Sequence, residues 1–112
     1  MPSRLVPVLL LGVAACATNP AGRWVGRIGD PCPGTAVLSV GRGQAVFVRD
    51  DSSQILRGTV TPAGQVSARL ETPGVDKKGF VQTFTGQAQG DAATGTYASP
   101  RCAAAPVTMH EG

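Results

Sequence analysis

The residue types able to do covalent, metal or acid–base chemistry are few here: Cys16, Cys32 and Cys102, the single histidine His110, and the adjacent carboxylates Asp50 and Asp51. Metal centres want cysteines and histidines closely spaced, and thiol redox centres want Cys-x-x-Cys. Neither spacing is present. Nucleophilic catalysis of the Ser/His/Asp kind needs a buried, oriented base, whereas His110 stands near the carboxy-terminal end, where chains fray. Adjacent residues at a strand end point to opposite faces, so Asp50-Asp51-Ser52-Ser53 reads as a polar turn. Gly41-x-Gly43 lacks the rest of a nucleotide fingerprint, and no helix follows it to supply an anion-binding end. These patterns predict a chain that is not an enzyme and holds no metal or cofactor.

What cysteine chemistry remains depends on the segment before it. Met1 to Arg4 is a basic start, and Leu5 to Val13 is almost uninterruptedly apolar. The run is far shorter than the roughly 20 residues that span a bilayer as a helix, and Pro7 interrupts it. A basic start, a short apolar stretch and small residues before a cleavage point make a secretory signal. Val13-Ala14-Ala15-Cys16 resembles a bacterial lipobox. That resemblance implies a signal peptide over 1–15, a diacylglyceryl thioether on Cys16, cleavage before it, and acylation (commonly palmitate) of the new amino terminus. Buried methylenes contribute about 0.8 kcal/mol each, so two or three chains hold a domain on a membrane where one would not. Ala17, rather than aspartate, follows the cysteine, which by resemblance to sorting in two-membrane bacteria points to the outer membrane, facing the periplasm. Residues 16–21 then form a lipidated tether ahead of a single domain over 22–112.

With Cys16 assigned to lipid, Cys32 and Cys102 remain in a compartment where disulfides persist. Their bond would close a loop of about 70 residues and stabilise by roughly 4 kcal/mol in the chain-entropy model. The alternatives, a metal pair or a redox pair, want the spacings already found lacking. The formal net charge of +3 falls to about +2 when Arg4 leaves with the signal. The arginines are scattered, almost no aromatics lie among them, and Lys77-Lys78 is the only basic pair, which excludes nucleic acid as a partner.

Glycine and proline punctuate the chain every eight to twelve residues, with β-formers between, and no window holds a helical apolar period. Candidate strands run over Gly22 to Ile28, Thr35 to Val40, Gln44 to Arg49, Gln54 to Thr61, Gln65 to Glu71, Gly79 to Gln89, Ala93 to Ser99 and Pro106 to His110. Alternation puts Trp24, Gly26 and Ile28 on one face, and likewise Ala36, Leu38 and Val40; Leu56, Gly58 and Val60; Val66, Ala68 and Leu70; and Phe80, Gln82, Phe84, Gly86 and Ala88. Short connections make sequence neighbours antiparallel neighbours. The prediction is an all-β, up-and-down antiparallel meander of about seven or eight strands closed into a small barrel, with a two-sheet sandwich as the alternative. Glycines 26, 58, 86 and 95 suit the sharp bends of such a barrel.

Gly22-Arg23-Trp24 resembles the Gly-x-Trp opening of lipocalins and avidins, families of up-and-down barrels that bind small, mostly apolar ligands. The resemblance implies that Trp24 closes the barrel bottom and that Phe47, Phe80, Gln82 and Phe84 line either a ligand calyx or a packed core. The partner of the lipocalin tryptophan, an arginine, has no counterpart here, and avidin sites use several tryptophans. The reading that follows is a monomeric, membrane-anchored periplasmic lipoprotein domain, a non-catalytic module that meets an envelope protein or polymer. A small-ligand-binding barrel is the alternative.

Overall fold

A computed structural model describes residues 20–50, 54–73 and 79–112. The expected signal peptide, Cys16 and the first part of the tether, Asp51 to Ser53, and Lys77-Lys78 lie outside those residues. Eight strands are present: β1 (Gly22–Ile28), β2 (Gly34–Gly41), β3 (Gln44–Arg49), β4 (Ile55–Val60), β5 (Gln65–Pro73), β6 (Gly79–Gln89), β7 (Ala92–Ser99) and β8 (Cys102–Glu111). Each pairs antiparallel with the next, and β8 pairs back onto β1 from Trp24↔Glu111 to Ile28↔Val107, closing a barrel. A single closed sheet replaces the two-sheet alternative.

Inward and outward positions alternate along every strand, as the pleat requires. Trp24, Ile28, Ala36, Leu38, Phe47, Leu56, Val66, Ala68, Phe84 and Ala88 are buried, while Arg23, Ser39, Arg57, Thr59, Ser67, Arg69 and Thr85 are exposed between them. Apolar inside and polar outside is the reverse of a transmembrane barrel, whose outer band must be apolar.

Close crossings between strands fall at the glycines. A Cβ on Gly58 would sit 1.8 Å from the Ser67 carbonyl oxygen and 2.6 Å from Ala68 Cα. Gly86 and Gly95 face one another across β6 and β7, and a Cβ on either would lie within 2.4 Å of the other strand's carbonyl. With no side chain at these points the sheet can coil tightly enough for eight strands to close.

The end holding the β2–β3, β4–β5 and β6–β7 turns is tied together by backbone bonds. Val60 N–H donates to Gly43 O (3.0 Å), Ala88 N–H to Gly64 O (2.8 Å) and Glu111 N–H to Asp91 O (2.8 Å). The β2–β3 hairpin turns on Arg42 (φ 56°) and Gly43 (φ 77°), the two positive values of a type I′ turn. Arginine, not Gly41, therefore occupies one left-handed position.

At the opposite end Cys32 and Cys102 form the expected disulfide across 70 residues. Asp50, also left-handed (φ 56°), accepts the Thr35 N–H on Oδ1 at 2.8 Å. A Cβ on Gly34 would come within 2.4 Å of that oxygen, so glycine there makes room for the carboxylate.

The last strand differs most from the sequence expectation. It starts at Cys102 rather than Pro106 and reaches Glu111, so His110 lies in paired strand, opposite Val25 on one side and Ala92 on the other, instead of in a fraying tail. Pro106 does not interrupt it because no bond is lost there. In an extended strand a residue's N–H and C=O point the same way, and the Pro106 carbonyl accepts from Gly29 N–H at 2.8 Å. The missing N–H thus faces Gly29, whose own carbonyl is taken by Cys32 N–H at 3.1 Å. Smaller differences are that β4 runs from Ile55 to Val60, β5 extends to Pro73 and β7 begins at Ala92.

Two outcomes follow. Replacing both Cys32 and Cys102 with serine should lower the unfolding free energy by roughly 4 kcal/mol, read as an earlier urea midpoint with the β signature kept at low denaturant. Arg42→Asn should instead raise the midpoint, by about 0.5–1 kcal/mol, since asparagine tolerates the left-handed region better than arginine does.

Candidate functional site

The interior is occupied by the barrel's own side chains. Phe47 from β3 and Phe84 from β6 meet across it as a parallel stack, centroids 4.4 Å apart and planes 6° from parallel. Tyr97 from β7 extends the stack, its ring 6.2 Å from Phe47. Alanines at 36, 45, 68, 88, 93 and 105 are buried around these rings, and their small volume leaves the space the aromatics fill. An eight-stranded barrel has an interior just wide enough for side chains to fill it or for one small ligand. Here the aromatic slab fills it.

Gln82 is the one buried polar residue among those described, 1% exposed. Its Oε1 accepts the Tyr97 hydroxyl at 2.5 Å. Burying an amide without a partner is costly, and this bond, formed between neighbouring strands, supplies one. The Arg49 guanidinium closes that end of the slab, 5.2 Å above the Tyr97 ring, with Nε 3.3 Å from Asp50 Oδ2. Farther out, Phe80 is half-buried beneath the Arg101 guanidinium at 5.9 Å. At the turn end Trp24, 3% exposed, donates its indole N–H to Gly90 O at 3.1 Å, which makes it the plug expected from Gly-x-Trp.

The residues expected to line a calyx or a core therefore divide clearly. Phe47, Phe84 and Gln82 are core, Trp24 is an end plug, and Phe80 sits at the opposite rim. Cys16 lies outside the described residues. Tyr97 went unremarked in the sequence, although the Gly90-Asp91 turn fixes a register that sets Tyr97 opposite Phe84. Arg49 shares the inward parity of Ala45 and Phe47, and that parity was the signal for its place over Tyr97. Among the described residues no three His, Cys, Asp or Glu side chains gather as a metal site.

Two open recesses lie outside the barrel. One, of about 570 Å³, borders the turn end, where Pro20, Ala21, Trp24, Pro62, Gly90 and Glu111 surround it. The other, of about 500 Å³, crosses the outer face of β4 to β7 between Thr59, Gln65, Ser67, Thr85, Gln87 and Thr94.

Tyr97→Phe should cost about 1–3 kcal/mol by leaving the Gln82 carbonyl oxygen buried without its donor. Adding Gln82→Leu in the same chain should recover most of that loss, a coupling that urea denaturation of the two single variants and the double variant would measure.

No protein-family model, curated protein or solved structure matches the chain.

Proposed function

We propose that this chain is a lipid-anchored, non-catalytic interaction module of a bacterial envelope, held through Cys16 on the periplasmic side of the outer membrane and meeting its partner with the outside of the barrel. The filled interior carries this reading. With the Phe47–Phe84 stack and the Gln82–Tyr97 bond occupying the barrel's centre, the surfaces left to offer a partner are external. The calyx alternative would need that slab to part. The disulfide suits an oxidising compartment, and the polar outer face suits a domain standing in water beside a membrane.

Chain geometry gives the anchored domain an orientation. Six residue steps separate Cys16 from Gly22, a reach of at most about 20 Å when fully extended. The turn end, where β1 begins, therefore faces the bilayer, and the disulfide end faces away from it.

In an intact bacterial host, labelled palmitate should enter the wild-type protein and be absent from Cys16→Ser, which should leave the membrane fraction. Absence of label from the wild type would sink the anchor. In-cell cross-linking from residues on the outer face should then capture an envelope component, whereas saturable uptake of a fluorescent fatty acid at stoichiometric amounts would favour the calyx.

A further inference from the structure

The recess across β4 to β7 has a composition that the fold does not require. Its side chains come from two cross-strand rows. Thr59, Ser67, Thr85 and Thr96 stand in register on consecutive strands, and Gln65, Gln87 and Thr94 form the row beside them. Neighbouring strands lie about 4.8 Å apart, so the first row sets four hydroxyls across roughly 14 Å. No charged side chain lines the recess. Hydroxyls and carboxamides both donate and accept, so the rows present mixed hydrogen-bonding groups without a net field.

One step along the same strands the chemistry changes. Arg57 and Arg69 are directly opposed, both exposed. Like charges placed opposite one another in a sheet are unfavourable. Glu71, whose Oε1 lies 3.6 Å from Arg69 Nη2, offsets only one of them. Two guanidinia beside a neutral, hydroxyl-lined recess form a surface suited to a carboxylate or phosphate carried on a polyhydroxyl chain, because guanidinium binds such groups in bidentate fashion.

We propose that the outer face of β4 to β7 binds an acidic polysaccharide, with the threonine, serine and glutamine rows on its neutral sugars and Arg57 and Arg69 on its acidic groups. This rests on the non-catalytic module reading and names the class of its partner. The face lacks the aromatic anchors of a protein interface, and two arginines are too few for the phosphate neutralisation that nucleic acid demands.

The test uses the full-length protein, isotope-labelled and purified in detergent, with amide shifts followed by NMR. The probes are a hyaluronan hexasaccharide, in which neutral and acidic sugars alternate, its all-neutral counterpart chitohexaose, and inorganic polyphosphate. The hexasaccharide should shift amides of Thr59, Ser67, Thr85, Gln87 and Arg69. Chitohexaose should shift the same amides about tenfold more weakly, the loss of one charge-assisted contact. Replacing Arg57 and Arg69 with glutamine should erase that preference, and Ser67→Ala with Thr85→Val should weaken both saccharides. No shift on this face at about 10 mM hexasaccharide, ten times the Kd of a millimolar contact, would overturn the proposal. So would polyphosphate binding as well as the hexasaccharide, or chitohexaose binding equally well. None of these outcomes bears on palmitate labelling at Cys16, so failure here leaves the anchored-module reading standing or falling by its own test.

Discussion

Interior volume is the constraint on which this molecule turns. Closing eight strands on themselves leaves a lumen only a few side chains wide, and protein interiors fill to near crystal density. Phe47 and Phe84 stack across that lumen from opposite walls, so nearly every other inward position must be small or absent. This accounts for the buried alanines on β2, β3, β5, β6, β7 and β8. It also accounts for glycine where strands cross most closely, at Gly26, Gly58 and the Gly86–Gly95 pair. The aromatic slab and the glycine crossings are two sides of one requirement: the walls must come close, and what stands between them must be flat.

Much of this was written locally in the chain. Alternation along Gly22–Ile28, Gly34–Gly41 and Gly79–Gln89 identified the inward faces, since period-two burial is imposed residue by residue. The closed meander followed from short turns joining strands of similar length. The pairing of Cys32 with Cys102 followed once Cys16 was set aside. What stayed hidden depended on groups brought from elsewhere. Whether a proline can sit inside a strand is decided by what lies opposite its missing N–H, and for Pro106 that is Gly29, far back in the chain. Arg49 reads as a solvated strand end until Tyr97 is beneath it. The recess on the outer face was illegible for the same reason, because its rows run across strands and no stretch of sequence contains one.

The division of labour between inside and outside follows. Residues with geometric demands, the rings and the buried amide, are inward and satisfied by one another. Residues with chemical variety are outward, and they are not evenly mixed: hydroxyls and amides gather on β4 to β7, with the opposed arginines at their margin. A barrel that uses its lumen for stability has only its walls with which to recognise anything.

The pairing of β8 with β1 has a consequence for how the protein is made. Until residues 107–111 emerge, Trp24 to Ile28 have only β2 beside them, and every shorter nascent chain is an open sheet with two unpaired edges. Open edges invite pairing with other chains, and contacts so distant in sequence form slowly. The vulnerable interval therefore lasts from the start of export to the arrival of the final strand, and a truncation of a few carboxy-terminal residues would prolong it indefinitely by denying β1 its second neighbour.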